Sequence, residues 1–560
     1  MPRPIRLGQS SFTQLREEGG YYVDKSSFVS EVLTAPMQVA LYPRPRRFGK
    51  TLNMTMLRAF FEIGPDRSGL FEDLSIWKDV EACTHFQRHP VISLTFKDVV
   101  EPTWPEARRA LNALLSAEVE RHAAAVADPR VPPGLRARLE AVIAGTDHQG
   151  RVLLDLCQAL EIHHGEKAIL LIDEYDAVVL TAWDLGYYDE AVLFFRSLLS
   201  SGLKGNDWLF RGVMTGILQL ARESMFSGLN NVEVYSLLKN RADEQFGFTE
   251  DEVIGVLGEF GRSEEATEVR DWYNGYRFGR ATVYNPISIM SMLAYPDEPL
   301  LPYWLNTSAN LLVRKLLLAH MEIDAGVAML LGGGSVESQI QEEVPLRDLN
   351  GRHVWGLLLF SGYLRAENVR VEEARTFADL RIPNREVRGL WQDTFSGWLE
   401  QQAGSVEPLH RAVLTGDAPA VEEILQTMLL RHVSFHDTAA NQDEAFYHAF
   451  VLGLLVTLEK SHAVRSNRES GRGRPDLLII PKRPGLAGVA LEFKRRQRVR
   501  VKIGEPQPPP AEGELEGLAK AALEQIQDRA YVTELESAGA APICRLGIAF
   551  SGQDVVVRGE

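Results

Sequence analysis

Four short apolar runs punctuate the first 220 residues. They are Met37-Gln38-Val39-Ala40-Leu41, Val91-Ile92-Ser93-Leu94-Thr95-Phe96, Ile169-Leu170-Leu171-Ile172 and Trp208-Leu209-Phe210-Arg211-Gly212-Val213-Met214. Each is bounded by polar or turn-forming residues, as expected for strands covered on both faces in a parallel sheet. Between them the period changes. Leu52, Met56, Leu57 and Phe60 recur at helical spacing. A longer helical region covers about residues 104–162, broken over 126–134 where Pro129, Pro132, Pro133 and Gly134 cluster. Tyr21-Tyr22-Val23 predicts a short strand leading into a capped helix. Strands alternating with helices predict an α/β fold with a parallel sheet flanked by helices. Residues 241–430 are predicted to be mostly helical. Phe248-Thr249-Glu250-Asp251-Glu252 is a capping-box helix start, and Gly356–Leu364 is a helix-to-strand turn in a small winged element. Near the C-terminus Leu477–Ile480 and Val489–Lys494 predict a hairpin, followed by a helix over Ala521–Gln527.

Charge changes the picture only locally. The 560 residues carry 60 Lys and Arg against 76 Asp and Glu, a net charge of −16, which excludes a surface coated in nucleic acid. Residues 461–502 run the other way, with twelve Lys and Arg against three acids. A basic stripe of this kind is the electrostatic footprint of a nucleic-acid site. Cys83, Cys157 and Cys544 form no metal-ligand spacing and no disulfide framework, so the expectation is three reduced thiols in a cytoplasmic protein. No apolar run approaches the ~20 residues of a membrane span, and the N-terminus has no apolar signal core. At about 150 residues each, the length corresponds to three or four domains.

Two stretches carry candidate chemistry. The first is Arg44-Pro45-Arg46-Arg47-Phe48-Gly49-Lys50-Thr51, between a strand and a helix. That is the setting of a phosphate-binding loop. Backbone N–H groups of Arg47, Phe48 and Gly49 at the helix start would face phosphate. Lys50 would reach the β- and γ-phosphates of ATP, and the Thr51 hydroxyl would ligate Mg²⁺. The pattern G-x-x-x-x-G-K-[ST] asks for glycine at 44, where arginine stands. The three arginines suit a polyanion. The matching second half is Asp173-Glu174, at the end of the third apolar run. Asp173 would hold Mg²⁺ and Glu174 would orient or deprotonate the attacking water. Thr215, at the tip of a neighbouring strand, is placed to sense the γ-phosphate. Arg222 and Arg241 are both candidates for stabilising transferred charge.

The second stretch runs from Pro475-Asp476 to Glu492-Phe493-Lys494. Alternation puts Glu492 and Lys494 on one face of their strand and Phe493 on the other. The hairpin would bring Asp476 beside Glu492. Two carboxylates and a lysine suit Mg²⁺-assisted phosphodiester hydrolysis.

These motifs carry a resemblance. Arg46–Thr51, Leu171-Ile172-Asp173-Glu174-Tyr175-Asp176, Phe226–Asn231 and Trp272-Tyr273-Asn274-Gly275-Tyr276, over roughly residues 6–290, resemble the prokaryotic AAA-ATPase-like family. In that family an Arg-Arg-Phe-Gly-Lys loop replaces the glycine-rich one, so the resemblance accounts for Arg44. Pro475-Asp476 with Glu492-x-Lys494 resembles the PD-(D/E)XK nuclease superfamily, which that family typically carries at its C-terminus. The resemblance implies that an earlier helix supplies a further acid, here Glu444. It also implies a glutamine-bearing later helix, with Gln525 preferred and Gln527 its neighbour. The expected architecture is an AAA-like P-loop ATPase domain over 1–240, a helical or winged lid and linker over 241–430, and an α/β restriction-endonuclease-like domain over 431–560. The expected function is an ATPase coupled to a Mg²⁺-dependent nuclease acting on nucleic acid, DNA first. Bacterial defence or DNA processing would suit that pairing, and a homo-oligomer is left open. The alternative is a regulatory or scaffolding NTPase that binds nucleic acid without cleaving it.

Overall fold

The computed structural model describes residues 3–145, 149–220, 231–304, 325–331, 333–349, 351–403, 406–432, 444–455, 458, 461–466, 475–496, 509–528 and 532–560. Its contacts divide the chain into two compact units: Met1–Val313 with Ser338–Glu386, and Arg314–Glu337 with Val387–Glu560.

The first unit is built on five strands: β1 Val39–Pro43, β2 Val91–Thr95, β3 Ala168–Asp173, β4 Leu209–Gly216 and β5 Val232–Val234. They pair in the order β2-β3-β4-β1-β5, parallel throughout. The four apolar runs are the first four strands. β1 and β3 are buried along their whole length, as two covered faces require. Helix α1, Lys50–Phe61, leaves β1 through the basic loop and buries Met54, Met56, Leu57, Phe60 and Phe61. Helix α2, Ala177–Leu185, follows β3. Because every strand runs the same way, the loop before α1 and the Asp173-Glu174 pair lie at the same carboxyl edge of the sheet, where open α/β sheets bind ligands.

Residues 241–304 and 338–386 also belong to this unit. Helix α3, Glu250–Glu259, starts with the capping box read from the sequence: Thr249 accepts from Glu252 N, and Glu252 bonds back to Thr249 N. The aromatic Trp-Tyr-Asn-Gly-Tyr block serves the core, with Tyr273 and Tyr276 buried. Gly275 sits at φ 109°, where a Cβ would lie 2.2 Å from the Pro383 carbonyl oxygen. The helix-to-strand turn is present: helix α4, Gly351–Phe360, leads into an antiparallel hairpin, Arg365–Glu372 with Arg375–Arg381. The hairpin is half-buried and largely polar, so it has no apolar run to announce it. The strand expected at Tyr21–Val23 does not form. Those residues have no ladder partner and line a cavity.

The second unit carries another five-stranded sheet: β6 His462–Ser466, β7 Leu477–Pro481, β8 Gly488–Arg495, β9 Ile543–Ser551 and β10 Asp554–Gly559. Their order follows the sequence. All pairs are antiparallel except β8 with β9, which is parallel. Helix α5 is Glu444–Leu455 and helix α6 is Glu514–Asp528. Side-chain alternation sets their faces. Ala519 of α6 packs on Ala549, while Tyr447 of α5 stacks on Phe550 with ring centroids 4.5 Å apart. Ala549 and Phe550 are adjacent on β9, so α5 and α6 cover opposite faces.

Candidate nucleotide and nuclease sites

The basic loop turns tightly without a glycine at 44. Arg47 takes φ 69° and Gly49 φ 79°, both left-handed, a region costly for any residue but glycine. The loop is held by donors to its carbonyls. Lys50 Nζ donates to the carbonyl oxygens of Arg44 at 3.1 Å and Pro45 at 3.0 Å. Trp304 Nε1 donates to Arg46 O at 3.2 Å. Burial pushes the Lys50 ammonium down from its ordinary pKa, and the charges of Glu174, Asp173 and Asp176 oppose this.

Arg44 corrects the polyanion reading. Its side chain is fully buried and is not among the residues that wall the neighbouring cavity. It lies between the rings of Phe246 and Phe278, at 5.0 and 5.4 Å. It donates to the carbonyl oxygens of Pro43, Tyr235 and Ala242 at 2.9, 2.6 and 3.3 Å. Burial lowers its pKa to about 10. Phe48 is likewise core, against Tyr276 and Phe278. Only Arg46 and Arg47 of the three arginines line the cavity. Arg44→Ala should therefore act on stability. It leaves the Tyr235 and Ala242 carbonyls without their donor and opens a void, a loss of about 3 kcal/mol. Chemical denaturation reads this directly, and Arg44→Lys recovers little of it because an ammonium cannot stack and fork as a guanidinium does.

Asp173 sits at the centre of a hydroxyl–carboxylate cluster. Thr51 Oγ1 donates to Asp173 Oδ2 at 2.6 Å, and Thr215 Oγ1 donates to Asp173 Oδ1. Thr215 is wholly buried, so its hydroxyl meets Asp173 rather than the cavity. Glu174, at φ 51°, swings out of the strand line and faces the cavity. That cavity has a volume of about 970 Å³ and is walled by Arg46–Asn53, Tyr21–Val23, Phe248 and Met290 among others. Its size falls in the range of cofactor and nucleotide pockets. Arg241 does not reach it. It donates to Glu31 O and Thr34 Oγ1 and pairs with the Glu31 carboxylate. Arg222 lies outside the described residues, as do Phe226 to Asn230.

In the second unit the hairpin register places Leu477 opposite Leu491, so Asp476 falls beside Glu492. Asp476 N donates to Glu492 Oε2 at 3.3 Å, and Asp476 Oδ2 accepts from Phe493 N at 2.7 Å. Lys494 Nζ stands 3.7 Å from Glu492 Oε1. Burial pushes the Asp476 carboxyl up, against the backbone N–H of Phe493 and the charges of His448 and Lys494. Gln525 Nε2 donates to Glu492 Oε1, while Gln527 turns to Glu560; of the two glutamines, Gln525 reaches the carboxylates. A residue the sequence did not signal makes this contact possible. Gly547 is the register partner of Glu492 on β9, and a Cβ there would lie 2.3 Å from Ala519 O. Its bare backbone lets α6 sit close enough for Gln525 to reach across.

Glu444 opens α5, and its side chain lies outside those described. One helical turn on, His448 Nε2 lies 2.8 Å from the Asp476 carbonyl oxygen, and its ring meets Phe493 at 5.4 Å. In the sequence nothing marks that histidine as a neighbour of Asp476. The basic stripe is partly committed to structure. Arg465 pairs with Glu534 and Arg496 with Glu514, whereas Arg472 and Arg474 lie outside the described residues. Among the described residues no group of three or more His, Cys, Asp and Glu side chains could hold a metal ion. No described helix is long and apolar enough to cross a membrane.

A parallel sheet with a Lys-Thr helix start facing an Asp-Glu strand end defines a Walker-type nucleotide fold, and the hairpin of Asp476, Glu492 and Lys494 sits in a second α/β domain. Comparison with known families is specific on both. Residues 6–226 match the model of a predicted AAA-ATPase, and residues 442–560 match the PD-(D/E)XK nuclease superfamily. The chain thus joins an AAA-ATPase-like region to a PD-(D/E)XK nuclease superfamily domain. It is similar over nearly its whole length to a protein of Azotobacter chroococcum mcd 1 described as an uncharacterized protein in the vnfD 5′ region. That relative is 24% identical over 564 residues, which cover 98% of this chain and 96% of the other. A solved structure, the Walker-type ATPase paby2304 of Pyrococcus abyssi, aligns with 12% identity and a TM-score of 0.33 over 70% of this chain and 99% of that one.

Proposed function

We propose that this protein binds and hydrolyses ATP with Mg²⁺ in its first unit and cleaves nucleic acid, DNA first, with Mg²⁺ in its second. The observation that supports it is the same in both units: hard oxygen donors from distant segments converge beside a lysine. In the first, Thr51 and Asp173 share a hydrogen bond below the cavity, next to buried Lys50. In the second, Asp476, Glu492, Lys494 and Gln525 meet. Oxygen donors of this number and kind fit a hard divalent cation. Mg²⁺ bound there would screen phosphate charge and lower the pKa of a bound water.

The chain's own groups supply the rest. Lys50 moves from the loop carbonyls to the phosphate oxygens. Backbone N–H groups of Arg47 to Gly49 at the start of α1 receive the phosphates. Glu174 orients the water that attacks the γ-phosphate. In the second unit Gln525 fixes the Glu492 carboxylate. Lys494 steadies the water or the charge developing on the scissile phosphate. The domain division at 240 and 430, a cytoplasmic setting, a homo-oligomer, and a role in defence or DNA processing complete the proposal.

The test is to incubate the purified protein with linear, circular and single-stranded DNA and with RNA, with and without ATP and Mg²⁺. Binding without cleavage under every condition would replace this reading with the scaffolding NTPase. Glu174→Gln is expected to keep nucleotide affinity and lose about a hundredfold in turnover. Equilibrium binding of a fluorescent nucleotide, set beside steady-state phosphate release, separates the two. Equal loss of affinity in Glu174→Gln and Asp173→Ala would mean that their roles are misassigned.

A further inference from the structure

The Asp173-Glu174-Tyr175-Asp176 motif ends in an acid to which the proposed chemistry gives no task. Asp176 is nevertheless almost wholly buried, at 1% exposure. Its Oδ2 accepts two backbone N–H groups, from Ile217 and Leu218, each at 2.9 Å. Those residues directly follow the tip of β4. Tyr175 supports the same segment. Its N–H donates to Thr215 O at 3.0 Å. Its hydroxyl donates to Leu218 O at 2.6 Å and accepts from Leu220 N at 3.1 Å. Gly216 is built into this contact, since a Cβ there would lie 2.6 Å from Asp176 Oδ1 and 2.7 Å from the Tyr175 ring.

The ladder explains why such a latch is needed. Register between β3 and β4 ends with Ile172 opposite Met214. On that side Asp173 and Thr215 stand beyond it, joined by the bond from Thr215 Oγ1 to Asp173 Oδ1, while on the other side β1 pairs Tyr42 with Thr215 and Pro43 with Gly216. The ladder with β1 ends at Gly216, and backbone past the end of a ladder, here Ile217 and Leu218, frays unless something else fixes it. Here the fixing groups are the Asp176 carboxylate and Tyr175.

We propose that Asp176 is a positioning residue of the nucleotide site. It clamps the backbone after β4 so that the Thr215 hydroxyl is held against Asp173, and through Asp173 against Thr51. The proposal rests on the ATPase reading for its effect on turnover, but the clamp itself can be measured apart from it.

Amide hydrogen exchange in the ligand-free protein reads the clamp. In Asp176→Ala, exchange at Ile217 and Leu218 should quicken about tenfold or more, because both N–H groups lose their acceptor. Turnover of ATP should fall about tenfold to a hundredfold, with a higher half-saturating Mg²⁺ concentration, as for residues that orient a ligand from behind. Asp176→Asn should restore protection and most of the turnover, because one side-chain oxygen accepts both bonds. Asp176→Ala combined with Thr215→Val should lose no more than the worse single variant, since both act through the same contact. Unchanged exchange in Asp176→Ala overturns the proposal. So does an Asp176→Asn variant as damaged as Asp176→Ala, which would mean that the charge beside Lys50 is what matters. So do additive losses in the double variant. If the wild-type protein turns over no ATP, the ATPase reading fails, and exchange at the two amides decides the clamp alone.

Discussion

Asp476→Ala and Glu492→Ala are each expected to cut Mg²⁺-dependent cleavage of nucleic acid by about a hundredfold or more while ATP turnover continues. In the proposed nuclease the two carboxylates are the hard donors. Each is also tied to the other's strand, through Asp476 N to Glu492 and Phe493 N to Asp476. Lys494→Ala should lose a comparable factor, about 10²–10³, by a different route, since lysine acts on the water or the developing charge. The variants therefore separate on a metal titration. Lys494→Ala keeps the wild-type half-saturation, and the carboxylate variants do not. Affinity for nucleic acid should survive all three changes and fall with salt, because cationic side chains supply it. The salt slope should be smaller than twelve cations imply, as Arg465 and Arg496 are already paired with Glu534 and Glu514. Cleavage that persists in both carboxylate variants would make the hairpin structural.

Lys50→Ala should lower ATP turnover by about a hundredfold or more, with weakened nucleotide binding. Lys50 is the lysine at the helix start that faces the cavity. The same change leaves the carbonyls of Arg44 and Pro45 without a donor, so some stability, about 1–3 kcal/mol, is lost with it. Thermal unfolding with and without nucleotide distinguishes the two effects. The wild type should gain stability with ATP and Mg²⁺, and Lys50→Ala should not. Wild-type turnover in Lys50→Ala would remove the P-loop assignment.

Much of the first sheet was legible because a parallel strand buried on both faces has to be apolar along its length. Asp173 and Glu174 were legible for the same reason, as the first polar residues after such a run. The half-buried hairpin at 365–381 was hidden by its polar surface. The direction of Arg44 was not legible at all. Three arginines within four residues suggest phosphate, and only the fold reveals that Phe246 and Phe278 enclose the first of them. In the second unit the hairpin could be drawn from the sequence, because alternation fixes which side chains share a face. Gly547 could not be found, since a lone glycine in a strand carries no record of the helix that approaches it. His448 lies on the helix expected to supply an acid, but an imidazole is not a hard oxygen donor and its spacing marks no partner.

The buried arginine also sets an order of events during synthesis. Arg44 leaves the ribosome early, and its partners arrive late: the carbonyls of Tyr235 and Ala242, then the rings of Phe246 and Phe278. A nascent chain holding only the residues up to 226 has β1, α1 and β3, yet the guanidinium beneath its loop has only the Pro43 carbonyl to bond and lacks Tyr235, Ala242 and the two rings. The loop therefore stays unfinished until the chain as far as Phe278 has emerged, well after β1 has been made. The nucleotide binding proposed for this loop is in this sense a late property of the growing chain, expected only when the segment after β5 folds back under the loop.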